Sequence, residues 1–155
     1  MKFSKLIFIF IPLFCVIGLY LFIDFEKDYS KLSMVELHKL AQKEDAEAQG
    51  MLAYYFQEGI NVEVDYKESL KWYLKSANND NTSAMINLAY LYGNGIGVEK
   101  DSIKAFEWNL KAANSGDPSG MFNVGKKYEK GIGVSKDIVK ANYWLEKAEK
   151  AKGYI

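Results

Sequence analysis

Residues 81–116 read NTSAMINLAYLYGNGIGVEKDSIKAFEWNLKAANSG, and the 36 residues on either side align with them without a gap. The preceding copy, residues 45–80, is DAEAQGMLAYYFQEGINVEVDYKESLKWYLKSANND, and the following one, residues 117–152, is DPSGMFNVGKKYEKGIGVSKDIVKANYWLEKAEKAK. Trp72, Trp108 and Trp144, the only tryptophans of the chain, occupy the same place in each copy. A unit this short cannot bury its apolar face alone, so three tandem copies imply a stack in which each repeat packs on its neighbours.

Within a copy the pattern is helix, Gly-rich loop, helix. Asp45, Asn81 and Asp117 are suited to cap the first helix, and Pro118 fits the first helical position of the third copy, where an N–H is not needed. Apolar or small residues then recur at helical spacing as Ala48, Leu52 and Phe56, as Ala84, Leu88 and Tyr92, and as Gly120, Val124 and Tyr128. The loops around Gly59 and Asn61, Gly95 and Gly97, and Gly131 and Gly133 supply residues that tolerate positive φ after a helix end. They follow a helix and no strand pattern precedes them, so they do not read as phosphate-binding loops. Asp65, Asp101 and Asp137 cap the second helix, with Glu68 at a spacing that suggests a capping box. The tryptophans on that helix, at one fixed repeat position, are expected to be core.

The residues fit the pattern Ala-x3-Leu-Ala/Gly-x2-Tyr-x2-Gly-x-Gly-Val-x2-Asp-x3-Ala-x2-Trp-x3-Ala-Ala, nearly complete between Ala84 and Ala113. In this the chain resembles the Sel-one-like repeat family, relatives of the tetratricopeptide repeats, over residues 45–152. The first copy departs from the pattern at Phe56, Asn61 and Ser69, the third at Gly120, Val124 and Glu149. The resemblance implies a right-handed superhelix of antiparallel helix pairs that holds protein partners.

The array's ends are marked by polarity. A stripe of Leu70, Leu74 and Ala77 recurs as Phe106, Leu110 and Ala113, and becomes Asn142, Glu146 and Glu149 in the third copy, as a terminal repeat requires. Upstream, Ser33 to Glu36 reads as a capping box opening a helix through about Lys43, with Met34, His38 and Ala41 on the matching stripe. Before it, residues 6–23 form an uncharged run of 18 residues, about 27 Å long as a helix. Lys2 and Lys5 precede the run, and Asp24, Glu26 and Asp28 follow it, which orients the repeats outside the cytoplasm. The sequence thus predicts an all-α fold: an αα-solenoid of three helix-loop-helix repeats at 45–80, 81–116 and 117–152, capped by a half-repeat at 33–44. A tether at 24–32 joins it to a transmembrane or signal-anchor helix in 1–23. The expected location is the cytoplasmic membrane of a bacterium, single pass, with the repeats in the periplasm; the alternative is a secreted periplasmic form after signal cleavage.

All 20 basic residues are lysines and the formal net charge is zero, so a bidentate arginine fork is missing and no nucleic-acid partner is expected. One cysteine, Cys15, and one histidine, His38, leave no basis for a disulfide, a metal site or a cofactor. No nucleophile, base and orienter stand at recognisable spacing, so an enzyme is not expected. Opposite the core stripe, the first helices collect Glu47, Gly50, Tyr54 and Gln57; Ser83, Ile86, Tyr90 and Asn94; and Ser119, Phe122, Lys126 and Glu129. In related solenoids this side lines the groove. Exposed aromatics rimmed by polar groups mark interaction surfaces, which makes these residues the expected seat of a protein or peptide partner, with Tyr90 and Phe122 as anchors. The expected function is a membrane-anchored, periplasm-facing interaction module. The resemblance offers two alternatives: an immunity protein that neutralises a periplasm-acting toxin, and, more remotely, the β-lactam binding linked to cysteine-rich members.

Overall fold

The computed structural model describes residues 28–153. A 3-10 turn at Tyr29–Lys31 is followed by seven α-helices: α1 (Met34–Ala41), α2 (Ala46–Glu58), α3 (Tyr66–Asn78), α4 (Thr82–Asn94), α5 (Ser102–Asn114), α6 (Pro118–Lys130) and α7 (Ile138–Ala151). Each helix packs on the next in chain order, and α4 also touches α6. That is the contact pattern of an αα-solenoid, with α1 as the half-repeat. The apolar run at 6–23 expected to form an anchor lies outside the described residues. Among those described, no helix is long and apolar enough to cross a membrane.

Every repeat starts and stops its helices by the same chemistry. The side chains of Asp45 and Asn81 accept from the backbone N–H groups of Ala48 and Ala84 at 3.0 and 2.9 Å, and Asp117 accepts from Ser119 and Gly120. These bonds satisfy orphan donors that a first helical turn leaves open. At the other end Gly59, Gly95 and Gly131 take the left-handed conformation, at φ of 70, 73 and 71°. The backbone N–H of Asp65, Asp101 and Asp137 then donates to the carbonyl of Phe56, Tyr92 and Tyr128, closing each loop on its own first helix. Ser33 and Glu36 form the reciprocal capping box on α1, which ends at Ala41, short of Lys43. Glu68 does not complete a box: its carboxylate binds Lys71 Nζ, and Asp65 alone serves the N–H groups of Lys67 and Glu68.

The core follows the first-helix stripe and extends beyond it. Ala48, Leu52, Ala84, Leu88 and Val124 are buried as the periodicity requires, and so are Ala53, Met85, Ala89 and Met121 one position over. The first helices are therefore covered on two sides, by their own partner helix and by the adjacent repeat. The second-helix stripe is covered at Ala77, Phe106 and Ala113, whereas Asn142, Glu146 and Glu149 are exposed on the last helix. The tryptophans differ: Trp72 is buried, and Trp108 and Trp144 are only partly so. Trp72 owes its burial to the cap helix, whose His38 ring meets it edge-on at 5.5 Å.

Candidate interaction groove

The first helices α2, α4 and α6 stand side by side, and two clefts separate them. Between α2 and α4, a cleft of about 180 Å³ is lined by Glu47, Gly50, Tyr54, Tyr73 and Ser83 among others. Between α4 and α6, a larger cleft of about 420 Å³ is lined by Ile86, Tyr90, Asn94, Lys126, Lys127 and Lys130, with Asn109 of α5 and Ile132 of the following loop.

The size difference follows from substitutions at equivalent repeat positions. Asn109 stands where the first repeat has Tyr73, and Gly93 where it has Gln57. Tyr73 fills its junction, and burial, with the nearby Glu58 carboxylate and Tyr54, pushes its hydroxyl above the usual tyrosine range. Asn109 is equally buried but shorter; it donates to the Ala105 carbonyl at 2.8 Å and accepts from Asn123 at 3.0 Å. A β-carbon at Gly93 would meet only the Ala105 methyl, at 3.6 Å, so the cleft wall is thin there. A shorter floor and a thinner wall leave the space open.

Eleven groove residues expected from sequence divide among these places. Glu47, Tyr54 and Ser83 line the first cleft. Ile86, Tyr90, Asn94 and Lys126 line the second. Gln57, Ser119, Phe122 and Glu129 line neither. Gln57 is partly buried beside Tyr54's helix turn, and Glu129 ion-pairs with Lys126, which holds its carboxyl below the usual range. Phe122 is 45 % exposed, with the Lys152 ammonium 5.6 Å above its ring. Ile86 is partly buried against the core cluster. Tyr90, at 54 % exposure, is the most open aromatic on this side.

Asn109 of α5 and Lys127 and Lys130 of α6 are among the lining residues of the second cleft that were not expected from sequence. Lys127 follows Lys126 on α6, Lys130 holds the repeat position that Asn94 holds on α4, and both line the cleft. Burial holds the Lys127 ammonium below its ordinary lysine value. Among the described residues no group of three or more His, Cys, Asp or Glu is placed to hold a metal ion.

Stacked helix pairs with clefts between their first helices define a helical-repeat scaffold of the kind that holds other proteins. The chain belongs to the Sel1 repeat family, whose repeat is matched three times, at residues 46–81, 82–117 and 118–152. Its fold is similar to that of a Sel1 repeat protein from Oxalobacter formigenes, at 36% identity and a TM-score of 0.69, over 77% of this chain and 94% of that one. It is also similar to c5321, a protective antigen of uropathogenic Escherichia coli with an SLR fold (27% identity, TM-score 0.74, 76% of this chain and 25% of that one). Cysteine-rich protein B of Helicobacter pylori shares the fold at 24% identity and a TM-score of 0.59, over 81% of this chain and 98% of that one. No curated protein matches the chain.

Proposed function

We propose that this protein is a membrane-anchored interaction module that faces the periplasm and binds a protein or peptide partner across α2, α4 and α6. The observation that carries this reading is the pair of clefts between first helices, each with a tyrosine on its rim, Tyr54 at 43 % and Tyr90 at 54 % exposure. Half-exposed aromatics beside a cleft gain most from a partner that desolvates them, and such residues dominate interface energies. Phe122, on the outer rim of α6, is the second anchor. Glu47, Gln57, Ser83, Asn94, Ser119, Lys126 and Glu129 supply the polar surround. The anchor rests on the apolar run at 6–23 and its flanking lysines.

A photo-crosslinking side chain placed at Tyr90 tests the groove against one placed at Ile103, which is 62 % exposed on α5. Capture of the same partner from Tyr90 and not from Ile103 supports the groove; equal capture from both overturns it. A reporter fused after Lys31 tests the topology, with activity expected on the periplasmic side. An adjacent gene encoding a periplasm-acting toxin would turn the adaptor reading into the immunity one.

A further inference from the structure

Charge is graded along the array. Residues 45–80 carry 7 acids and 3 lysines, residues 81–116 carry 3 of each, and residues 117–152 carry 5 acids and 8 lysines. The gradient reaches the groove: the first cleft has Glu47 on its rim, and the second has Lys126, Lys127 and Lys130 and no acid. Lys126 is engaged by Glu129. Lys127 and Lys130 make no ion pair among the described residues, and no carboxylate offsets the desolvation of Lys127. A partly buried ammonium without a counter-charge is a standing cost that an incoming anion relieves. Apolar groups share the cleft with these lysines: Ile86 and Tyr90 on α4, and Ile132 in the loop after α6.

We propose that the cleft between α4 and α6 takes an acidic segment of the partner, with carboxylates against Lys127 and Lys130 and an apolar side chain against Ile86, Tyr90 and Ile132. This rests on the interaction reading and adds the chemistry of the partner. Charge complementarity selects the acid, and the mixed lining selects a peptide over a polyphosphate: Ile86, Tyr90 and Ile132 give a polyanion nothing to bind, and the chain has no arginine to fork onto phosphate.

The test uses the full chain and a panel of labelled synthetic peptides in which Asp/Glu content and Leu/Phe content vary independently. Peptides carrying both are expected to bind best, and less tightly as salt rises. Lys127→Gln with Lys130→Gln, checked for unchanged helicity, is expected to weaken that binding about tenfold or more, while Lys127→Arg retains it. Lys67→Gln with Lys71→Gln, on the exposed face of α3, should leave it unchanged. Equal binding of neutral and acidic peptides that Tyr90→Ala still abolishes would overturn the acidic preference and leave the groove intact. Binding to none of the peptides, or binding indifferent to both Tyr90→Ala and the lysine pair, would overturn the groove as well. Tighter binding to anionic lipid vesicles or to RNA than to any peptide would overturn the peptide assignment.

Discussion

Gly97 has no room for a side chain because Tyr66 of the preceding repeat lies against it: a β-carbon at Gly97 would stand 2.7 Å from the Tyr66 carbonyl oxygen. Its φ of 69° is one reason for a glycine, and the neighbouring backbone is a second. Gly133 has the same relation to Ser102, more tightly. Asn61, the equivalent in the first repeat, also has a positive φ, of 58°, yet it is exposed, since no complete repeat precedes it. At Asn61 the first copy departs from the family pattern where no preceding repeat presses on the loop.

Gly97→Asn should therefore cost about 1–3 kcal/mol, the usual range for overpacking, although asparagine tolerates the left-handed region. Gly116→Asn is the control. Gly116 has a φ of 92° with open space where a β-carbon would be, and Asp80 holds a positive φ at the equivalent position. It should cost less than about 0.5 kcal/mol, as surface changes do. Urea midpoints of the two variants decide: equal shifts would mean that φ alone, and not the inter-repeat contact, requires Gly97.

Two serines of α3 make opposite predictions. Ser69 and Ser76 are both fully buried. Ser76 Oγ donates to the Ala46 carbonyl at 2.6 Å, which ties α3 to α2, whereas Ser69 Oγ has no partner among the described residues. The second and third repeats have alanine at both positions: Ala105 and Ala141, and Ala112 and Ala148. Ser69→Ala should stabilise by about 1 kcal/mol, because an unpaired buried hydroxyl is removed, and Ser76→Ala should destabilise by about as much. Thermal melts of the two single variants suffice, and shifts of the same sign would refute the hydrogen-bond assignment.

What the sequence made legible is what repeats every 36 residues. Caps, left-handed glycines and the Ala48–Leu52 type of stripe depend on local chemistry and helical phase, so they can be read from one copy and checked in two others. Contacts between copies are less accessible. Gln49 is buried because its amide donates to the Ala41 carbonyl at the end of α1, a role that Met85 and Met121 do not share, having a full repeat before them. Tyr54 and Tyr90, placed opposite the core stripe by helical phase, each line a cleft. Asn109, which reaches the cleft from a second helix, and Lys127, one residue past Lys126, were not read from the sequence. Departures such as Asn109 for Tyr73 were the available signal.

Trp72→Ala should be the most damaging of the three tryptophan truncations, at about 3–5 kcal/mol, ahead of Trp108→Ala and Trp144→Ala. Position within the array would favour the central Trp108, which has full repeats on both sides. Burial favours Trp72, at 4 % exposure, because α1 supplies a neighbour and sets His38 against its ring. Denaturant midpoints rank the three. A larger loss at Trp108 would mean that α1 contributes little to the first repeat.

Acid should destabilise the array through the caps of its second helices. The carboxyls of Asp101 and Asp137 are held below their ordinary value of 3.8, chiefly by the backbone N–H groups of Lys104 and Lys140. Because the folded value is depressed, the unfolded chain takes up a proton first. The stabilisation is complete above the unfolded value and is lost as the pH falls through the folded one. Asp101→Asn with Asp137→Asn keeps a cap acceptor at each position and removes its titration. The double variant should melt within a few degrees of the parent at neutral pH, an allowance set by the small difference between Asp and Asn as caps. Below about pH 4 its melting temperature should fall less steeply than the parent's. Part of the slope remains, since Glu36 and Glu129 are also held low, by Ser33 and Lys126. Parallel acid limbs for parent and variant would place the acid sensitivity elsewhere than at these two caps.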